Sequence, residues 1–343
     1  MSSNLFGSLA YQKIFGKDKK EEKKSTSKIS DENVLDIIDQ LIKLVTERGI
    51  KIDSITLTTV GDQNSGKTTV MNRLIGPALL PMRNPKTSRP AMTICPTIIN
   101  TRKSDDVITV SVTASEYKNK GLYGNPKEAR DGVQIMIEDC QNKMGLIITE
   151  KTITVDAIGP AFNNMHFIDL PGIINDDGPL SLNIKSLARK YISHSKNTIV
   201  LFVMRAQDPQ VASAWEIIRD IPKDNIILVI TRPDGLDSKD KTIAEVITGE
   251  RKLRIPQENI YIVKNPDTIA GKILCDKADA QELEYFENHD LYKDLLNNDK
   301  YRDQFGITNL RKKIVQIKGN IKFPIAVNKI RFRNETYGIW YDA

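Results

Sequence analysis

The chain has little of the chemistry on which small secreted or metal-clasping proteins depend. Across 343 residues it holds three cysteines (Cys95, Cys140, Cys275) and three histidines (His166, His194, His289), all far apart. None shows the spacing of a zinc site, and so sparse and odd a thiol count argues for reduced cysteines in the cytoplasm rather than a disulfide framework. Long hydrophobic runs are missing too. The longest, Thr198 to Met204, falls far short of the ~20 residues that cross a bilayer, so membrane contact is expected to be peripheral if it occurs. The first thirty residues hold no uninterrupted apolar stretch of the kind a secretory signal needs. There is no internal repeat. Basic residues near the C-terminus, such as Arg311, Lys318 and Lys329, are scattered and match no nucleic-acid reader, so no specific nucleic-acid partner is expected. The net charge of +6 permits an acidic partner without requiring one.

What is present is an ordinary globular composition, 40% hydrophobic and 27% charged, long enough for one large or two small domains. Residues 1–29, with Lys17 to Lys24 charged and low in complexity, read as a disordered tail. Ser30 then caps an amphipathic helix over 30–50, in which Val34, Ile37, Ile38, Leu41, Ile42 and Val45 share one face and Gly49 ends the run. Within a domain placed at 51–305, strands and helices alternate from Ile52 to about Asn265, and the chain turns helical and charged after Lys272. Strands are expected at 55–60, 107–112, within 145–155, up to 169, and at 197–204, 226–231 and 260–263. Helices are expected at 126–143, 182–195, 211–219, 239–252, 276–287 and 291–299. This alternation predicts an α/β fold, a mainly parallel sheet flanked by helices, with ligands outside the carboxyl ends of its strands. A second amphipathic stretch, 306–318, opens a C-terminal segment (306–343) that forms a small helical bundle with the helix at 30–50. Residues 331–341 read as a frayed helix end.

Three motifs carry chemistry. Gly61, Gly66, Lys67 and Thr68 fit the phosphate-loop pattern, between a β-branched run and a helix start. Backbone N–H groups from Gly61 through Asn64, Ser65 and Thr69 would face a phosphate, Lys67 would reach the β and γ phosphates, and the Thr68 hydroxyl would hold Mg²⁺. Asp169-Leu-Pro-Gly172 follows a strand about a hundred residues later. Asp169 there can hold the Mg²⁺ shell and the Gly172 N–H can bond the γ-phosphate. Thr231-Arg232-Pro233-Asp234 follows another strand. The Asp234 carboxylate can accept from the N1–H and N2 amino group of guanine, a donor pair adenine lacks. The Arg232 stem can lie over the base, and Asp237 can reach its edge.

In this order the motifs resemble the GTPase domain of the dynamin superfamily over about residues 31–330. Gly61 to Thr69, with Gln63, is similar to that family's first motif; Leu79-Leu-Pro81 and Thr87-Ser-Arg-Pro90 to its switch I; Asp169 to Ile173 to its third motif; Thr231 to Asp237 to its fourth. The helix at 34–45 resembles the first helix of the bundle signalling element. The resemblance implies a P-loop GTPase fold and a chain that hydrolyses GTP to GDP and phosphate. Gln63 would position the attacking water, Thr87 would contact Mg²⁺ and that water, and Lys264 and Asn265 would cap the base. It also implies GTP-dependent homodimerisation through the GTPase domains, a monovalent cation (K⁺ or Na⁺) beside Mg²⁺, and a role in membrane remodelling. Departures point to an alternative, a slow-turnover GTP-gated scaffold module. Asn64 stands where serine is frequent, Asn84-Pro85 where glycines are expected, and Asn175 where lysine is. An ATP-using phosphate-loop enzyme would leave Thr231 to Asp234 unexplained.

Overall fold

The computed structural model describes residues 56–81, 93–145, 148–176, 178–193, 198–236, 240–266, 275–319, 331–333 and 340–342. The expected tail, the helix at 30–50, Thr87 with the adjoining switch I residues, and Asp237 lie outside the described residues.

A nine-stranded sheet organises the molecule. Its strands are β1 (Thr56–Val60), β2 (Thr97–Arg102), β3 (Ile108–Ala114), β4 (Tyr117–Tyr123), β5 (Ile153–Ile158), β6 (Met165–Asp169), β7 (Thr198–Arg205), β8 (Ile226–Thr231) and β9 (Ile260–Val263), in the order β4-β3-β5-β2-β6-β1-β7-β8-β9. From β6 to β9 every pairing is parallel. β2 joins this block antiparallel to β6 and runs parallel to β5, while β3 is antiparallel to both β4 and β5. The sheet is thus mainly parallel, with an antiparallel edge, as α/β alternation implies.

Helices cover the two faces unequally. On one face α1 (Lys67–Ile75), α2 (Pro126–Lys143) and α8 (Ile307–Gly319) bury Val70, Met71, Val133, Ile137, Ile307 and Leu310 against Leu57, Ile99, Val155 and Phe167. On the other, α3 (Pro179–Ser193), α4 (Trp215–Ile218) and α5 (Thr242–Thr248) bury Ile184, Ile217 and Val246 against Val200, Phe202 and Leu228. That second layer covers the parallel block and reaches Ile98 at the start of β2. Beyond it Asn100, Asp156, Ser111 and Lys120 stand in register across β2, β5, β3 and β4, half-buried to exposed. Helices α6 (Cys275–Asn288) and α7 (Asp290–Leu296) complete the order before α8.

Local chemistry explains several boundaries. Asn125 caps α2 by accepting from the Glu128 N–H at 3.0 Å, with Pro126 in the first turn. Gly249, at φ 80°, ends α5, which is shorter than the helix expected over 239–252. Gly145 adopts φ 91°, and strand structure starts only at Ile153 instead of running through 145–155. The helix expected at 211–219 shrinks to α4 because a 3₁₀ turn, Pro209–Val211, precedes it. At the C-terminal end, β10 (Arg331–Arg333) and β11 (Trp340–Asp342) pair antiparallel, in place of the expected helix end.

Candidate functional site

The phosphate loop leaves β1 between two tight approaches. A Cβ on Gly61 would stand 1.9 Å from the Val203 carbonyl oxygen of β7, so the chain passes only as glycine. Gly66, at φ 91°, opens α1 with its Cα beside the Asn265 amide; an added Cβ would stand 2.6 Å from that nitrogen. Asn64 takes the left-handed conformation at φ 61°, which asparagine tolerates better than most side chains. The Lys67 ammonium donates to the carbonyls of Gly61 (3.0 Å) and Asp62 (2.9 Å). Burial pushes its pKa down to about 8, against the pull of Asp169 and Asp62.

Asp169 ends β6 beside this loop. Its carboxylate is buried, which raises its pKa while Lys67 draws it back. Thr59 donates to one carboxylate oxygen at 2.9 Å; Thr68 and Thr93 both donate to the other at 3.0 Å. One buried carboxylate and neighbouring hydroxyls are hard oxygen donors, and they fit Mg²⁺, which binds through one or two carboxylates plus substrate phosphates. Gly172 follows, where a Cβ would sit 2.6 Å from the Gln63 Cα and 3.1 Å from the Lys67 nitrogen. The segment is zipped to the loop: the Gln63 N–H donates to Ile173 at 2.9 Å, and the Ile173 N–H to Gly61 at 3.0 Å.

Thr231 ties the next motif to the same loop. Its hydroxyl meets the Ser65 carbonyl at 2.6 Å and the Met204 carbonyl at 3.0 Å. Arg232 turns the chain at φ 53°, and Pro233–Gly235 form a 3₁₀ turn with Asp234 exposed. Beyond β9, the Lys264 backbone is clamped from both sides. Its N–H donates to Glu282 at 2.8 Å and its carbonyl accepts from Arg73 at 3.0 Å. The Lys264 ammonium lies 5.3 Å from the Tyr285 ring centroid. Burial lifts the Tyr285 hydroxyl to about 12, with the Asp234 carboxylate adding to the shift. The buried Asn265 Oδ1 has no hydrogen-bond partner.

The structure therefore gathers Gly61, Gln63 to Thr69, Asp169, Gly172, Thr231 and Asn265 around one loop, with Arg232, Asp234 and Lys264 on the adjoining turns. Several residues that shape the site carry no sequence motif. Thr59 and Thr93 reach Asp169 only through the fold. The Asp62 carboxylate accepts from the N–H groups of Ser213 (3.2 Å) and Ala214 (3.0 Å), so it holds the turn that enters α4. Arg73 and Glu282 form a buried ion pair at 2.7 Å. A lone threonine or a charged residue inside a helix has no spacing that would mark it out.

A strand, a glycine loop opening a helix, and an acidic strand end beside it define a phosphate-loop, mononucleotide-binding α/β protein. The dynamin family profile matches residues 57–232, just over half of the chain, and the chain belongs to that family. Relatives include the interferon-induced GTP-binding protein Mx1 of sheep (Ovis aries), 27% identical over 76% of this chain and 40% of the sheep protein. Human (Homo sapiens) Mx2 is 27% identical over 76% of this chain and 36% of its own length. Mouse (Mus musculus) Mx1 is 26% identical over 78% and 42%. The chain thus spans about two fifths of the length of these relatives.

Proposed function

We propose that this chain binds GTP with Mg²⁺ and hydrolyses it to GDP and phosphate. The observation that carries the reading is the bond from Thr231 to Ser65, which fixes the turn bearing Asp234 to the phosphate loop. A base recognised by Asp234 then has its phosphates led to Gly61–Thr69. Lys67 exchanges loop carbonyls for β and γ phosphate oxygens. Thr68 and Asp169 would hold the metal. Mg²⁺ supplies charge neutralisation on the transferring phosphoryl group, and positioning carries the rest. Gln63 orients the attacking water, with Thr87 as its switch I counterpart. Asp237 and Lys264 support the base.

By family likeness, two such domains pair when GTP is bound and a monovalent cation assists turnover. The chain acts in the cytoplasm, at membranes peripherally, in remodelling. The buried thiols Cys95 and Cys140 suit a reducing compartment. The test is GTP hydrolysis per molecule against protein concentration, in potassium, sodium and neither, with ATP as control. A specific rate that rises with concentration supports the paired GTPase. A flat slow rate with GTP bound supports the gated scaffold. Failure to bind guanine nucleotide sinks both.

A further inference from the structure

The helix that leaves the phosphate loop is tied to the base side of the site at both of its ends. At its start Gly66 lies against the Asn265 amide; in its last turn stands Arg73. The Arg73 side chain is 1% exposed. Its guanidinium donates to the Lys264 carbonyl at 3.0 Å and to the two oxygens of Glu282 at 3.3 and 2.7 Å. A further bond of 2.8 Å goes to Asp279. Glu282 in turn accepts from the Lys264 N–H at 2.8 Å, so one buried ion pair grips both backbone groups of Lys264. Arg311 of α8 steadies the pair from behind, donating to the Arg73 carbonyl and to Asp279, each at 2.7 Å. Only a planar fork of N–H groups reaches three such acceptors at once; the single nitrogen of a lysine does not span them. The next residue after Lys264 is Asn265, so the setting of its amide beside Gly66 depends on this grip. The phosphate loop has separate supports, from Thr231 to Ser65 and from Ile173 to Gly61.

We propose that Arg73 is a positioning residue for the guanine base. Through Glu282 and the Lys264 backbone it fixes the Lys264–Asn265 turn at the base site and so slows nucleotide release. The inference rests on the nucleotide reading above. Arg73 acts on the turn and not on the nucleotide itself, so its loss loosens the base end of the site and spares the phosphate end.

The test compares two probes on the full chain with Mg²⁺. One is a fluorescent GDP, whose release is timed after a chase with unlabelled GDP. The other is tripolyphosphate, which engages the phosphate loop without a base, with affinity read by calorimetry. Arg73→Lys keeps the charge beside Glu282 but loses the fork. The pair Arg73→Met with Glu282→Gln removes both charges, so that neither is left buried alone. In each variant GDP release should be about 10-fold faster, with tripolyphosphate affinity unchanged. Unchanged GDP release in both variants overturns the assignment. An equal loss of tripolyphosphate affinity also overturns it, because it marks a purely structural role that lowers the competent fraction for every ligand. Wild-type protein that binds tripolyphosphate but holds GDP no more tightly overturns the base-site reading beneath the proposal, and wild type that binds neither overturns the nucleotide reading itself.

Discussion

The two halves of the sheet bury themselves differently. Strands β6, β1, β7, β8 and β9 run parallel with helices on both faces, and β8 is buried from Ile226 to Thr231. Strands β4, β3 and β5 are helix-covered on one face only, with β2 at the border, and β5 alternates buried and half-buried residues throughout. In the parallel half all carboxyl ends fall along one edge. The phosphate loop after β1, Asp169 at the end of β6 and Thr231 at the end of β8 therefore converge without long loops. The other half widens the sheet and packs α2, but of the site residues only Thr93 leads into it. Chemistry sits where strand direction is uniform.

If that contrast is real, the parallel half and its helices should be brittle. The largest effect is expected at Glu282, whose buried carboxylate bonds Arg73 and accepts from the N–H groups of Lys264 and Ile307. Glu282→Ala removes the buried partner of Arg73, leaving it only the half-exposed Asp279, and should lower stability by about 3–5 kcal/mol in denaturant unfolding. Asp279→Asn, at the more exposed rim of the same cluster, should cost about 1 kcal/mol or less. Next comes Gly61→Ala. The new Cβ would have to displace the Val203 carbonyl, so nucleotide binding by calorimetry should be lost even in protein that still folds.

A pH effect should be smaller. Lys67 titrates near 8 when folded and at its ordinary 10.5 when unfolded. Between those values the unfolded chain holds the extra proton, so this group makes nucleotide-free stability rise with pH above about 8 and has no such effect below it. Phosphate binding favours the ammonium, so nucleotide affinity should fall over the same window. Lys67→Met should remove both slopes in thermal unfolding and binding series. The smallest effect is expected on the open face of the other half. Ser111→Val there should change stability by no more than about 0.5 kcal/mol and leave nucleotide binding unchanged.

The same contrast explains what could be read from the chain. The strands at Thr198–Arg205, Ile226–Thr231 and Ile260–Val263 were legible because burial on both faces demands short, largely apolar runs, and Thr56–Val60 because its β-branched residues suit a buried strand. Thr97–Arg102 and Tyr117–Tyr123 escaped because they carry Asn100, Arg102, Lys118 and Lys120 on an uncovered face or edge. Site residues bound by a local motif, from Gly61 to Thr69 and from Asp169 to Gly172, were legible for a related reason. Loop geometry and phosphate chemistry tie them to fixed spacings. Thr93 and Thr59 act through a bond to one carboxylate, a contact that depends on strand order and leaves no periodic trace. Glu282 is similar, since it joins the base side of the site to the start of α8 across the fold.

The most direct measurement concerns Asp234. Affinities of wild type and Asp234→Asn for GTP and xanthosine triphosphate should be compared by competition. An asparagine amide can donate to the 2-oxo group of xanthine where the carboxylate accepted from the guanine amino group. A swap of preference from GTP toward xanthosine triphosphate is the predicted result. Unchanged GTP preference in Asp234→Asn would contradict the account, because the turn after β8 would then not be the one that reads the base.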